Sequence, residues 1–451
     1  MEPDRKKQYL LLTAVALGMI LNPLNTSMIS VAFSRLQEEF QVQFMDISWL
    51  IATFYLASAI GQPVMGKLSD LFGRKRIFLI GLALVTVSSL LAPLAPTFHW
   101  LMAFRVVQAI GTSAIFPAGM GIIRSSITHN QARAMGILSV FSSTSAAVGP
   151  SIGGLLIHYG DWPAIFLINF PVIVVSLLLA VRIIPADVGS TTGAGKIDLC
   201  GIALFSLTLF LWLLFLLDLS NGLDGWKLGT SIILTLVFYW YETRQAQPFV
   251  DIHFLKNNLN VTYIYMQFIF VNIIFYSVTF GIPIYLQDVR RFTVQETGLM
   301  MLSLAMFGIL ITPFVARWLD NSGPKYPLLI GNLIFIIGTV LLSNIQDDSS
   351  AAFTFTILSI LGAAVGMLNL SLQTGLYTFV SKEETGIASG LFMTSRFIGT
   401  ILSSSLLGIV FGKKVATGQL NWMGVSCVVI SLLMLMISLR IIQTKELPHS
   451  G

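Results

Sequence analysis

Arg105 and Arg396 stand inside long apolar runs of a chain in which only 10% of residues are charged. A guanidinium at the centre of a membrane helix costs roughly 2.5–3.5 kcal/mol on insertion scales, so it usually faces a wet cavity or a partner. Arg105 could respond to a proton bound nearby or hold an anionic group of a ligand. The plainer alternative is an arginine bonded to helix carbonyls. For Arg396, beside Thr394, Ser395 and Gly399, that alternative weighs as much. Acids are scarcer: none falls at the middle of an apolar run. The candidates sit near helix ends: Asp46, Asp161, Asp218, Asp224, Asp288 and Glu296, with Asp288 placed first and Asp46 and Glu296 behind it. A carboxyl that binds and releases a proton is the usual carrier of proton-coupled work, and Asp288, closing the ninth run, is the first candidate. The plain reading of each is a solvated acid at a helix end.

The elements that must position these groups are helices in a bilayer. Hydrophobic residues make up 55% of the chain, and mean hydropathy is +0.82. A soluble domain carries roughly 25% charged residues. Runs of about 20 apolar residues match the hydrocarbon core, and strands of a barrel are about half that length. The spacing predicts fourteen spans, near 9–33, 46–66, 77–96, 99–122, 134–157, 162–181, 198–217, 227–243, 260–287, 296–316, 326–345, 352–379, 386–411 and 421–441. With the N-terminus in the cytoplasm, eighteen Lys and Arg fall on that side, six outside, and two within helices. This bias predicts cytoplasmic termini. The same loops account for the net charge of +5 without nucleic acid. Cys200 and Cys427 lie in or beside apolar runs, so no disulfide framework, metal site or organic cofactor is expected. No nucleophile–base pair or phosphate loop suggests an enzyme.

One short pattern occurs twice. Gly66-Lys67-Leu68-Ser69-Asp70-Leu71-Phe72-Gly73-Arg74-Lys75-Arg76 joins spans two and three. Between spans ten and eleven stands Ala316-Arg317-Trp318-Leu319-Asp320-Asn321-Ser322-Gly323-Pro324-Lys325-Tyr326, with Asp, Gly three residues on, and then a cation. In two six-helix halves the second copy would follow the eighth core helix; it follows the tenth span. Two helices must therefore be inserted between the halves, and the segments become 1–183, 184–250 and 251–451. Glycines at 66 and 73 permit close backbone approach, and Asp70 can meet a helix N-terminus or an arginine.

With these motifs the chain resembles the major facilitator superfamily, in its fourteen-helix branch of drug:proton antiporters. The Gly66–Arg76 loop matches the superfamily signature. Arg105-Val106-Val107-Gln108-Ala109-Ile110-Gly111 is similar to the proton-coupling motif of helix four, and Gly149-Pro150-Ser151-Ile152-Gly153-Gly154 to the antiporter motif. Trp162 to Pro171 resembles the start of helix six in that branch. The resemblance implies an all-α polytopic fold of 6+2+6 helices and alternating access, with Gly66, Asp70, Gly73, Arg74, Asp320, Gly323 and Lys325 gating. It implies that Gly149, Pro150, Gly153 and Gly154 form a hinge and seal. It also implies protons as the coupling ion and a multi-pass place in a bacterial plasma membrane. Asn25 stands where the branch carries an aspartate. An amide cannot carry the proton, which leaves the coupling role to Arg105 with Asp288, Asp46 or Glu296. With Arg105 and no mid-membrane acid, the expected cargo is neutral, zwitterionic or lipophilic drugs of a fluoroquinolone-like kind, bound near Asn25 and Arg105. An endogenous metabolite or lipid is the alternative cargo. The chain is expected to act as a monomer, with small molecules and the bilayer as its partners.

Overall fold

In the computed structural model, residues 2–42, 44–186, 197–218, 222, 224–411 and 415–441 are described. The linker expected from 184 onward falls largely outside them, at 187–196. Among the described residues every regular element is a helix. In order they are α1 (Glu2–Met28), α2 (Phe33–Phe40), α3 (Phe44–Phe72), α4 (Arg74–Leu91), α5 (Phe98–Ser126), α6 (Gln131–Gly160), α7 (Ala164–Leu167), α8 (Asn169–Ile183) and α9 (Leu199–Asp218). There follow α10 (Gly225–Glu242), α11 (Ile252–Asn257), α12 (Leu259–Asp288), α13 (Val294–Ser322), α14 (Lys325–Leu342), α15 (Ala351–Phe379), α16 (Thr385–Phe411) and α17 (Thr417–Arg440).

A helix occupies each expected span, with α7 and α8 sharing the sixth. Among the described residues eleven stretches are long and apolar enough to cross a membrane, or twelve with the bent α6. α3 and α10 are not among them. Helices suit the bilayer because each satisfies its own backbone hydrogen bonds where no water can. Breaks follow the sequence. α6 bends by 43° between Gln131–Ala146 and Val148–Gly160. Pro150 lacks an N–H, and its ring crowds the carbonyl four residues earlier, at Ala146, where the first piece ends.

The helices pack as two compact units. One holds residues 1–252 with 380–398; the other holds 253–379 with 399–451. By packing, α9 and α10, expected as an insertion between the halves, therefore group with the first six spans. So does the first half of α16, from within the third expected segment.

In the first unit α5 is the most deeply buried span. Its Gly111 faces Gly81 of α4 so closely that a Cβ on either would come within 3 Å of the other's carbonyl oxygen. α2 is tied to the end of α6 by Arg35, whose Nε and Nη2 donate to Asp161 at 2.8 and 2.7 Å. That hydrogen bond holds the Asp161 carboxyl below its ordinary value. Both side chains are about two-fifths exposed, so the pair adds little stability. In the second unit α13 and α15 cross on glycine: a Cβ on Gly362 would stand 2.1 Å from the Leu304 carbonyl oxygen, and one on Gly366 2.4 Å from that of Gly308. Helices in lipid gain mainly by such close packing, since the tails are as apolar as leucine.

Candidate functional site: a buried polar network and a two-ended latch

Two constellations in the first unit gather the candidate residues. The first lies along α5. Arg105 is 1% exposed. Its Nη1 donates to Gln108 Oε1 at 2.6 Å, and its guanidinium sits 4.3 Å from the centre of the Phe54 ring. Its Nε has no hydrogen-bond partner among the described residues. The i, i+3 spacing of Arg105 and Gln108 puts both on one face of α5.

Gln108 passes the connection on. Its amide nitrogen donates to Asn25 Oδ1 at 3.1 Å and to Ser89 Oγ at 3.4 Å. Asn25 and Asn169 exchange amide hydrogen bonds, at 3.0 Å one way and 2.9 Å the other. Asn169 also donates to Ser89 Oγ at 3.1 Å, and Asn25 to the Leu21 carbonyl at 2.6 Å. Residues of α1, α4, α5 and α8 thus form one chain of polar contacts. Asn25 and Arg105 were expected to line an open cavity. In this conformation they are instead packed inside the unit, at 3% and 1% exposure. The physical reason is that a buried polar group is costly unless it is held: Asn169 and Gln108 meet the amide of Asn25, while Gln108 and the Phe54 ring hold the guanidinium of Arg105.

The second constellation is the signature loop. Gly73 has φ 103°, which a side chain would strain, and it starts α4 directly after α3 ends. Asp70, beyond the apolar part of α3, points at the first turn of α16. Its Oδ1 accepts the N–H of Gly386 at 3.0 Å and its Oδ2 that of Ile387 at 2.9 Å. The first N–H groups of a helix lack internal partners and carry the positive end of its dipole, so a carboxylate fits there. Gly66 makes the approach possible: its Cβ would lie 2.2 Å from the Gly386 carbonyl oxygen. One turn further, a Cβ on Gly390 would meet the Gln62 carbonyl oxygen at 2.4 Å.

Arginines close the other end of the latch. Arg74 donates to the carbonyls of Gly121, at 2.9 Å, and of Lys382. Its Nη2 is 3.6 Å from Asp70 Oδ1. Arg124, at the end of α5, donates to Ser381 O at 2.6 Å, to Thr385 Oγ1 at 2.8 Å and to Val380 O. It is a cation among the carbonyls that follow α15, where the dipole favours positive charge. Burial pushes the Asp70 carboxyl up to about 7, although Ile387, Arg74, Gly386 and Lys67 each draw it down.

The remaining candidates are placed as follows. Gly149 and Gly153 pack on α1: a Cβ at Gly149 would collide with Ser27 Oγ, and one at Gly153 would come within 3.1 Å of the Met28 carbonyl oxygen. Gly154 is looser, at 3.9 Å from Val31. These glycines, with the bend above Pro150, let α6 follow α1.

In the second loop copy Gly323 ends α13 at φ 70°. Asp320 is exposed and Lys325 half-buried, so this copy does not repeat the burial of Asp70. Asp46, Asp288 and Glu296 are all exposed, at the first turn of α3, the end of α12 and the start of α13. Glu296 corrects an expectation. Its Oε2 accepts from Thr293 N at 2.8 Å and Thr293 Oγ1 at 2.9 Å, while its own N–H donates back to Thr293 Oγ1 at 3.2 Å. It is the acid of a capping box, committed to starting a helix. Among the described residues no group of three or more His, Cys, Asp and Glu suits a metal ion.

Asn169, Gln108, Arg124, Gly386 and Gly390 were not singled out beforehand as site residues. Gly386 and Gly390 carried a signal in their four-residue spacing within an apolar run. Asn169 and Arg124 had none beyond polarity, because their partners lie on distant segments.

A transporter is the class that a bundle of membrane-length helices, a polar network inside it and a helix-end latch together describe. The model of the Major Facilitator Superfamily matches residues 15–404, and the chain belongs to that family of multi-pass membrane transporters.

Among relatives, it is 42% identical to the MFS-type transporter YwoD of Bacillus subtilis, over 94% of this chain and 95% of that one. It is 27% identical to the multidrug resistance protein Stp of Mycobacterium tuberculosis, over 90% and 76%. It is 24% identical to the riboflavin transporter RibZ of Clostridioides difficile, over 92% and 90%. The fold is also that of the crystal structure of the human organic anion transporter MFSD10, with a TM-score of 0.69, 15% identity, and 96% and 99% of the two chains covered.

Proposed function

We propose that the protein is a proton-coupled exporter of amphiphilic drugs, neutral, zwitterionic or lipophilic, working by alternating access with fourteen spans and cytoplasmic termini in a bacterial plasma membrane. It acts as a transporter and not as an enzyme. The observation that carries this reading is the latch: one carboxylate holds the first two N–H groups of α16 that face it, and Arg74 and Arg124 hold the carbonyls just before that helix. Polar contacts at helix ends can be made and released repeatedly. Such a bistable element is what alternating access requires. The relation to Stp supports a drug as cargo.

Coupling requires that proton and cargo bias the same equilibrium in opposite directions. Asp288 remains the acid proposed for it within the spans, and Asp70 joins it as a carboxyl that titrates near neutrality at the latch. The relation to RibZ supports a second reading, export of an endogenous metabolite.

The test is proton movement in proteoliposomes holding a pH dye, with an imposed pH gradient and candidate drugs added. Drug-triggered proton flux that Asp288→Asn or Asp70→Asn abolishes supports antiport and names the acid. Absence of drug-linked flux across a broad panel, with flux on adding flavins or other metabolites, would replace the first reading by the second.

A further inference from the structure

The inserted helix pair carries two acids that the transport reading does not use. Asp198 immediately precedes α9, and Glu242 ends α10. Glu242 is 1% exposed, yet its Oε1 has no hydrogen-bond partner among the described residues. Asp198 Oδ2 is buried and unpartnered as well.

The two free oxygens converge. A Cβ built on Gly201 would lie 2.3 Å from Asp198 Oδ2 and 2.5 Å from Glu242 Oε1, so both border the space that the missing side chain leaves. The other oxygens of the pair are engaged and fix it in place. Asp198 Oδ1 accepts the Gly201 N–H and the Tyr241 hydroxyl, each at 2.8 Å. Glu242 Oε2 accepts the Val250 N–H at 3.3 Å. Lys67, whose charge reaches Glu242, gives its ammonium to the Pro248 carbonyl at 3.3 Å.

Two convergent carboxylate oxygens without donors are costly to bury unless a cation joins them. A cavity of about 430 Å³ opens beside Asp198, lined also by Cys200, Tyr241, Gln245 and Gln247 among others, with room for water. A pair of carboxylates completed by waters is the way Mg²⁺ is commonly held, because it dehydrates reluctantly and prefers oxygen.

We propose that Asp198 Oδ2 and Glu242 Oε1 bind one hydrated divalent cation of the Mg²⁺ class, which staples the start of α9 to the end of α10. The site is independent of the drug pathway. It gives the inserted pair a role in holding the chain beside Lys67 of the signature loop.

The experiment uses the full-length protein in lipid nanodiscs with Mn²⁺ as a paramagnetic probe at neutral pH. The expected result is one saturable Mn²⁺ per chain, displaced by excess Mg²⁺. Glu242→Gln and Asp198→Asn each weaken it at least tenfold, and Gly201→Ala weakens it with both carboxylates retained. Gly418→Ala, outside the pair and with open space around it, retains binding and serves as the folded reference. No saturable Mn²⁺ on the wild type, or a site that survives both acid substitutions, overturns the proposal. So does a wild type whose melting temperature follows Glu242 protonation between pH 6 and 8 without any response to Mg²⁺. That outcome would assign a shared proton to the pair instead.

Discussion

Asp70 Oδ2 accepts the backbone N–H of Ile387 at 2.9 Å, although 317 residues separate them in the chain. With Gly386 it makes a two-point hold on the start of α16. Both N–H groups lose their acceptor without this side chain, although burial costs the charged form more than these contacts return. Asp70→Ala is therefore expected to open the first turn of α16 more often. With Cys200 and Cys427 replaced, a cysteine placed by Ser389→Cys, at a fully buried position, should react several-fold faster with a maleimide when Asp70→Ala is added. An unchanged rate would show that the latch does not hold this turn.

The same hold depends on pH. In the latch the Asp70 carboxyl stands at about 7, against an ordinary value of 3.8. The latched state thus keeps a proton that the open state has lost, between those two limits. Its stability is fully present below pH 3.8 and falls as pH rises through 7. Lys67 and Arg74 are the cations that face Asp70, and both pull its carboxyl down against the larger effect of burial. Labelling at the Ser389→Cys position, divided by the rate of a free thiol at the same pH, should accelerate from pH 5.5 to 8, and Asp70→Asn should flatten that ratio.

Close backbone approach at Gly66 predicts a steric effect distinct from the electrostatic one. A methyl there would stand 2.2 Å from the Gly386 carbonyl oxygen. Gly66→Ala should cost about 1–3 kcal/mol, as overpacking usually does, and transport should drop at least tenfold with the protein still folded by circular dichroism. Gly418→Ala, with open space around it, should leave transport near wild type.

Asn25 predicts a structural penalty. Removing its amide takes the donor from Asn169 Oδ1 and an acceptor from both Asn169 and Gln108, which keep only Ser89 and Arg105. Asn25→Ala should destabilise the detergent-solubilised protein by about 1–3 kcal/mol, the usual cost of a stranded buried polar group, seen as a lower melting temperature. Asn25→Asp keeps an acceptor for both Asn169 and Gln108. It should be closer to wild type in stability and should add a pH dependence to drug export. Equal melting temperatures for wild type and Asn25→Ala would show that the network contributes nothing.

Sequence and structure divide the account along physical lines. Local chemistry could be read directly. Apolar runs too long and too poor in charge for water specify helices, and a helix stands at each expected position. Pro150 foretells the bend four residues behind it, and the Gly73 and Asp70 spacing foretells a tight, polar turn. These depend on neighbours in the chain.

What lies across the chain was not legible. That Asn25 pairs with Asn169, 144 residues away, and that Asp70 meets Gly386, depends on which helices adjoin. Apolar periodicity cannot specify this, because every face of a membrane helix may be apolar. The same holds for Glu296, exposed and committed to a cap, and for the residues between 380 and 398 that pack with the first unit. Sequence by itself determined a helical membrane protein with an arginine and an amide where charge is costly. Only the tertiary structure decided which groups those residues satisfy, since a buried polar atom is defined by the partner that reaches it.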